Sequence, residues 1–188
     1  MHRSLFVSIL LLFSSVSAVT LNQYTRPRCY GARRSCTNIG PRVCCRSRTR
    51  VFVSGDCVGC TSTDFHFVWN QSGRDYCGRV ARAINGNRCI GGQNLRGHTW
   101  CRLCGTLVSE DQGSENATLT SDEPAACTAT AEPNIATKDG VKFFRIGAGV
   151  PENDNNAIME WLDGDGTLEN LPASLQQYQT PNPDEDST

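Results

Sequence analysis

Cysteine is the residue type in this chain with the most conspicuous chemical spacing. Two Cys-x-x-Cys pairs occur, Cys57-Val-Gly-Cys60 and Cys101-Arg-Leu-Cys104. Two such pairs can hold zinc through four thiolates, and one pair can exchange disulfides. However, 40 residues separate the pairs, whereas zinc ribbons use about 15–20, and a thioredoxin-like site needs a βαβ context that the sequence lacks. We therefore predict no metal and no cofactor.

Acid–base catalysis would depend on two histidines and one acid. His66 follows Asp64 and Phe65, and His98 lies in Arg-Gly-His-Thr-Trp. In an extended chain Asp64 and His66 point to the same side. Imidazole, carboxylate and arginine are the groups that a ribonuclease-like hydrolase uses. Because no Gly-x-Ser-x-Gly or His-Glu-x-x-His signature accompanies them, catalysis by His66, His98 and Asp64 is the weaker hypothesis.

Arginine offers a third chemistry, the binding of anions. Residues 19–105 contain 14 arginines and three acids, with no lysine and no glutamate. The planar guanidinium fork matches carboxylate, phosphate and sulfate groups. Three arginines alternate after Cys45, so an extended chain would place them on one side. The predicted ligand-binding residues are Arg33, Arg34, Arg46, Arg48 and Arg50.

The beginning of the chain has the pattern of a secretory signal peptide. His2 and Arg3 precede the apolar stretch Leu5–Phe13, and Val16-Ser17-Ala18 fits the cleavage rule. The stretch is too short to span a membrane, and the end of the chain has neither a hydrophobic tail nor a retention signal. We expect a mature chain from Val19 that is secreted and extracellular, without a membrane span.

In a secreted protein, cysteines at this density form a disulfide framework. Adjacent Cys44 and Cys45 cannot readily bond to each other, so we expect them to have different partners. Cys127 is left over and could pair into the framework or link two chains into a dimer. The other ten cysteines, enough for five bridges of open connectivity, are Cys29, Cys36, Cys44, Cys45, Cys57, Cys60, Cys77, Cys89, Cys101 and Cys104.

Charge divides the chain into two halves. Residues 19–105 have a balance of +11, whereas residues 106–188 hold 16 acids against three basic residues, a balance of −13. The arginines could therefore bind an external polyanion, pair with the protein's own acidic half, or simply solvate the surface. The predicted organisation is a signal peptide (1–18), a basic cysteine-rich module (19–105), a Ser/Thr/acid-rich linker (106–137), a small acidic strand–helix region (138–178) and a disordered tail (179–188).

Strand signals dominate the basic module. Thr49–Ser54 and Asp64–Asn70 are β-branched and aromatic, and both run toward glycines that we interpret as turns. Beyond the linker, the pattern predicts a strand at 141–146 and helices at 151–162 and 171–178. The predicted fold class is a small disulfide-rich, mainly β module followed by an acidic, partly disordered region with a short strand and helix, α+β overall.

Two Asn-x-Ser/Thr sequons begin at Asn70 and Asn116, and both are candidate glycosylation sites. Asn116 lies in the predicted linker. Asn70 lies at the end of a predicted strand, where its side chain could be buried. Asn116 is therefore the better candidate.

The signal peptide, the Cys-dense module with its Cys44-Cys45 pair and the Ser/Thr/acid linker resemble the small secreted cysteine-rich proteins of filamentous fungi, a class that includes effectors. The resemblance implies extracellular action on a host, a competitor or the producer's own wall, and it transfers no catalytic residue. We expect a secreted, effector-like, non-catalytic protein whose arginines bind wall or host polysaccharide, acidic lipid or nucleic acid. The alternatives are a ribonuclease-like hydrolase and a cationic membrane-active antimicrobial or toxin precursor that the acidic half masks.

Overall fold

A computed structural model describes residues 18–104, 126–138, 140–164 and 170–182. Residues 1–17 of the predicted signal peptide, residues 106–125 of the predicted linker and the tail from residue 183 lie outside these ranges. The elements are β1 (Val19–Arg26), β2 (Tyr30–Ile39), β3 (Val43–Arg46), β4 (Phe52–Val58), β5 (Asp64–Ser72), β6 (Asp75–Asn85), β7 (Ile90–Arg102), β8 (Ala129–Ala131), β9 (Ile135–Lys138), β10 (Lys142–Arg145), α1 (Glu152–Asp163), α2 (Ala173–Gln176) and β11 (Gln179–Thr180).

The described strands form one mostly antiparallel sheet. Its order is β11-β10-β9-β2-β1-β4-β7-β3-β8; β5 branches from β7, and β6 pairs with β5. The pairing of β3 with β8 is parallel. β7 is long enough to pair with β4 near Ile90, with β3 at His98 and with β5 along its second half, so it joins three other strands of the basic module.

The side chains of β5 alternate between two hydrophobic clusters, which explains why this segment forms a strand. Phe67 and Trp69 pack with Phe65 in one hydrophobic cluster, and Val68 packs in another that contains Phe52. This is the alternation expected of a strand buried on both faces. The predicted strand over Asp64–Asn70 is therefore confirmed, with two further residues at its end.

Gly55 does not form the turn that the sequence suggested. It lies inside β4 and pairs with Gln23 of β1 and Ile90 of β7. A Cβ at Gly55 would lie 2.8 Å from the Asn22 carbonyl oxygen and 2.9 Å from Cε1 of His98. The glycine is thus needed because a buried imidazole and a neighbouring backbone occupy the space of a side chain.

The acidic part of the chain joins the same sheet as the basic part. β9 pairs with β2 between Arg34 and Ala136, and β8 pairs with β3 between Cys44 and Thr130. Residues 129–137, predicted as linker, thus include strands, and β11 lies in the predicted tail. Their composition gave no sign of a strand, because these short segments have few apolar residues of their own. They form strands by hydrogen bonding to β2 and β3 of the basic module.

Helix α1 covers this end of the sheet. Its buried residues Ile158, Met159 and Leu162 pack on Phe144 of β10 and on Ala32 of β2. The observed bounds agree with the predicted amphipathic helix at 151–162 to within one residue. α2 is shorter than predicted and contributes Leu175 to the same cluster.

Five disulfides hold the basic module, and Cys44 and Cys45 have different partners, as predicted. Both Cys-x-x-Cys pairs are internal disulfides, and the Cys127 thiol carries no bridge. Several disulfides are consistent with an extracellular protein. Among the described residues, no helix has the length and apolar character needed to cross a membrane. The bridges are Cys29–Cys89, Cys36–Cys45, Cys44–Cys77, Cys57–Cys60 and Cys101–Cys104.

Candidate functional site

Five arginine side chains gather where the basic and acidic parts meet, and we call them the arginine cluster. Its members are Arg34, Arg46, Arg48, Arg50 and Arg96. β3 ends at Arg46, and the buried Ser47 turns the chain by donating its hydroxyl to the Arg50 carbonyl. Arg96 of β7 donates to the carbonyl oxygens of Ser47 (3.3 Å) and Arg48 (3.0 Å). Arg46, Arg48 and Arg50 therefore do not lie on one straight strand, as the sequence predicted, but on a bend that these hydrogen bonds fix.

Acids from the C-terminal part contact three members of the cluster. Oε1 of Glu132 lies 3.0 Å from Nη2 of Arg46 and 2.6 Å from Nε of Arg48. Oδ2 of Asp163, at the end of α1, lies 2.7 Å from Nη1 of Arg50. The guanidinium groups of Arg46 and Arg48 thus bind one carboxylate oxygen of the protein itself, in the way that they could bind an oxyanion of a ligand.

Arg34 is the buried member of the cluster. Only 4% of its surface is exposed, and Nη2 donates to the Arg50 carbonyl oxygen at 3.2 Å. It forms no ion pair with a carboxylate of the described residues. Burial lowers its pKa to about 10, with further repulsion from Arg50 and Arg96 and attraction from Asp163.

Arg33 does not belong to this cluster. Adjacent residues of a strand point to opposite faces, and Arg33 pairs across the sheet with Tyr24. The Tyr24 hydroxyl donates to Asp56 at 2.9 Å. Burial and the Asp56 carboxylate raise the pKa of Tyr24, and they outweigh the opposing effect of Arg33. The structure therefore separates Arg33 from the other four predicted binding residues.

A cavity of about 440 Å³ opens beside the cluster, and we call it the arginine cleft. Arg34, Arg46 and Arg48 line one side together with Glu132, and the loop 146–150 and the first turns of α1 line the other. The Asn155 side chain fixes this loop, because it accepts from Gly147 N at 2.9 Å and donates to the Val150 carbonyl at 3.0 Å. Volumes of this size suit a small ligand or one unit of a polymer.

Positive charge exceeds negative charge around the cleft. Among the described residues, the cleft is lined by the three guanidinium groups of Arg34, Arg46 and Arg48 and by the two carboxylates of Glu132 and Glu152. The buried Nε atoms of Arg34 and Arg46 have no hydrogen-bond partner among the described residues. A buried N–H donor without an acceptor is costly, so an added anion that accepts from these two Nε–H groups would stabilise the cluster.

The two histidines of the catalytic hypothesis meet in the core. Nδ1 of His66 and Nε2 of His98 lie 3.0 Å apart, and Nε2 of His66 lies 3.0 Å from the Arg88 carbonyl oxygen. A carbonyl only accepts, so His66 donates from Nε2 and accepts at Nδ1 from His98; both rings are neutral. Both side chains are fully buried, which leaves them no contact with a substrate in solution.

Burial also sets the protonation of these groups. It lowers the pKa of His66 to about 4 and that of His98 well below its usual value, and in His98 the neighbouring His66 adds to the effect. Asp64 is buried too, but hydrogen bonds from Thr61 and Arg102 outweigh burial and hold its pKa below the usual value. Asp64 therefore stabilises a turn and does not contact the histidines.

The predicted modification sites differ in what the structure shows. Asn116 lies outside the described residues. Asn70 is half-buried at the end of β5, and its amide nitrogen donates to the carbonyl oxygens of Gln93 (2.8 Å) and Asn94 (3.2 Å). A glycan at Asn70 would have to replace these bonds, because the amide nitrogen is the atom that glycosylation modifies.

Sequence reasoning missed three residues of the site, Arg96, Glu132 and Asp163. Arg96 reaches the cluster through the register of β3 on β7, and Glu132 through the pairing of β8 with β3. No local pattern marks either residue. The charge division between the two halves was the one available signal, and it did not identify particular acids.

Comparisons with known proteins add no family to this description. No family model matches the chain, and neither a curated protein nor a solved structure matches it.

Proposed function

We propose that the protein is a secreted, non-catalytic binding protein that holds an oxyanion of an extracellular polymer in the arginine cleft. The observation that carries the proposal is the excess of positive charge among the described residues around the buried Arg34. The other four arginines of the cluster lie near it, whereas the described acids near the cluster are Glu132, Glu152 and Asp163. Arginine forks bind carboxylate, sulfate and phosphate with paired, charge-assisted hydrogen bonds. Wall or host polysaccharides, acidic lipids and nucleic acids all carry such groups.

Glu132 supports this assignment in a second way. Its side chain is 39% exposed, and its carboxylate accepts from two arginines at the edge of the cleft. Exposed ion pairs are weak, typically about 0–1 kcal/mol. A ligand with several anionic groups could therefore displace Glu132 and use the same two guanidinium groups.

The intact chain is the binding form in this proposal. β9 pairs with β2, and α1 packs on Ala32 of the basic module. Removal of the acidic part would uncover Ala32 and break the β2–β9 ladder. The precursor hypothesis, in which a cationic module is released, would need that loss, so we favour the binding protein.

The test is binding to an immobilised sulfated polysaccharide (heparin) and to polygalacturonate, measured over a series of salt concentrations. The double variant Arg46→Ala/Arg48→Ala removes two cleft arginines. The matched control is Arg79→Ala/Arg82→Ala, which removes the same charge from exposed positions of β6 that form no ion pair within the described ranges.

We expect the cleft variant to lose about tenfold or more in affinity, because charge-assisted hydrogen bonds contribute about 1.5–3 kcal/mol. The control should lose no more than about threefold, since long-range attraction is shared among many charges and screened by salt. Equal losses in the two variants would show general charge attraction and refute a site in the cleft.

A further inference from the structure

A third sulfur lies beside one of the five disulfides. The sulfur atoms of Cys44, Cys77 and Cys127 all lie within 4.8 Å of one another. Cys44 and Cys77 are joined, whereas Cys127 is a free, half-buried thiol. A free thiol so close to a disulfide is the starting arrangement of thiol–disulfide exchange.

Backbone pairing holds Cys127 in this place. The Thr128 amide donates to the Arg42 carbonyl oxygen at 2.9 Å, and the strand that follows pairs in register with β3, Thr130 beside Cys44. The three sulfurs also pack in one hydrophobic cluster with Phe67 and Trp69. The proximity therefore follows from the β3–β8 ladder and from core packing.

The disulfide also lies directly against β7. A Cβ at Gly97 would collide with Sγ of Cys77 and approach the Tyr76 carbonyl oxygen at 2.7 Å. Glycine thus makes the space in which Cys77 reaches Cys44 under β3.

We infer that Cys44, Cys77 and Cys127 form an intramolecular thiol–disulfide exchange site. The Cys127 thiol loses its proton to solvent, and the thiolate attacks Sγ of Cys77 or Cys44. One S–S bond forms to Cys127, the Cys44–Cys77 bond breaks, and the released sulfur leaves as a thiolate that takes up a proton. The reaction conserves one disulfide and one thiol, so it needs neither an oxidant nor a reductant.

Exchange would change how the two parts of the chain are connected. All five disulfides lie within the basic module, and none joins it to the described residues 126–138, 140–164 and 170–182. A bond from Cys127 to Cys44 or Cys77 would tie β8 covalently to the module. Glu132 follows β8 directly, so the bond would also restrain the carboxylate that contacts Arg46 and Arg48.

Slow exchange at neutral pH is expected. Burial, with the nearby Asp75, raises the pKa of the Cys127 thiol to about 11. Only the thiolate attacks a disulfide, so the exchange rate should rise about tenfold per pH unit below that value.

The experiment uses the full mature chain, secreted and purified without reductant and incubated at pH 7, 8 and 9. Samples are denatured in N-ethylmaleimide at mildly acidic pH and mapped by mass spectrometry without reduction. We expect label on Cys44 or Cys77 to grow as label on Cys127 falls, with the matching new cross-linked peptide, faster at higher pH. Label on Cys127 alone at every pH and time would overturn the inference.

Two variants keep the result interpretable. In Cys127→Ser the Cys44–Cys77 bond should stay intact and no cysteine should be labelled. In Cys77→Ser, secreted through an oxidising pathway, Cys44 and Cys127 should be joined and no free thiol should remain. Two free thiols in that secreted variant would contradict the proposed proximity of Cys44 and Cys127, whatever the exchange rate of the wild-type chain.

Discussion

Arg46 and Glu132 lie on different sides of the charge division, yet Nη2 of Arg46 and Oε1 of Glu132 are 3.0 Å apart. β3 ends at Arg46, and the parallel strand β8 ends one residue before Glu132. The parallel ladder between Val43–Cys45 and Ala129–Ala131 brings the two side chains together. Arg46, which the sequence predicts to bind a foreign anion, thus already forms an ion pair with a carboxylate of the protein itself.

Neutralising Glu132 should strengthen polyanion binding. Glu132→Gln removes the carboxylate that competes for Arg46 and Arg48, so heparin affinity should rise by about threefold to tenfold. The free energy of unfolding should change by less than about 1 kcal/mol, because the pair is exposed. Heparin binding and urea unfolding measure the two effects.

Glu160→Gln is the matched control for this variant. Glu160 is an exposed residue of α1, and its replacement makes the same change in net charge. If both variants raised the affinity equally, the gain would come from net charge and not from the release of two arginines.

Gly55 should be intolerant of even one methyl group. In Gly55→Ala the new Cβ would meet the Asn22 carbonyl and His98 at 2.8 and 2.9 Å, and such overpacking costs about 1–3 kcal/mol. Gly40→Ala is the control, since a Cβ there has no atom within 4 Å and should change stability by less than about 0.5 kcal/mol. Urea midpoints that shift equally would show that the His98 environment is looser than described.

Stability should fall as the pH drops below 6.5. The folded-state pKa of His66 is lowered to about 4 and that of His98 is also lowered, so the unfolded chain takes up protons first. From pH 7.5 to 5.0 His66 alone should cost about 2 kcal/mol, and His98 acts in the same direction. Urea unfolding at the two pH values, with the disulfides intact, measures the loss; equal stability would contradict the neutral buried pair.

Local patterns predicted the elements whose burial depends on their own side chains. Phe65, Phe67 and Trp69 alternate and form a strand, and Ile158 and Leu162 recur at helical spacing and form α1. The separate partners of Cys44 and Cys45 followed from covalent geometry alone.

Elements that depend on a distant partner could not be predicted in this way. β8 and β9 read as linker because their hydrogen bonds come from β3 and β2, more than 80 residues away in the chain. The same limit applies to the site, because strand register alone brings Arg96 to Ser47 and His66 to His98. Cys127 had no predicted neighbour, since its place depends on the β3–β8 ladder.

The most direct test of an anion site in the arginine cleft is an NMR titration of the mature chain with a short sulfated oligosaccharide, followed through the arginine Nε–H resonances. We expect saturable shifts at Arg34, Arg46 and Arg48, with at most small shifts at Arg79 and Arg82 on β6. Shifts confined to the exposed β6 arginines, or shifts that grow without saturation at all arginines alike, would contradict it.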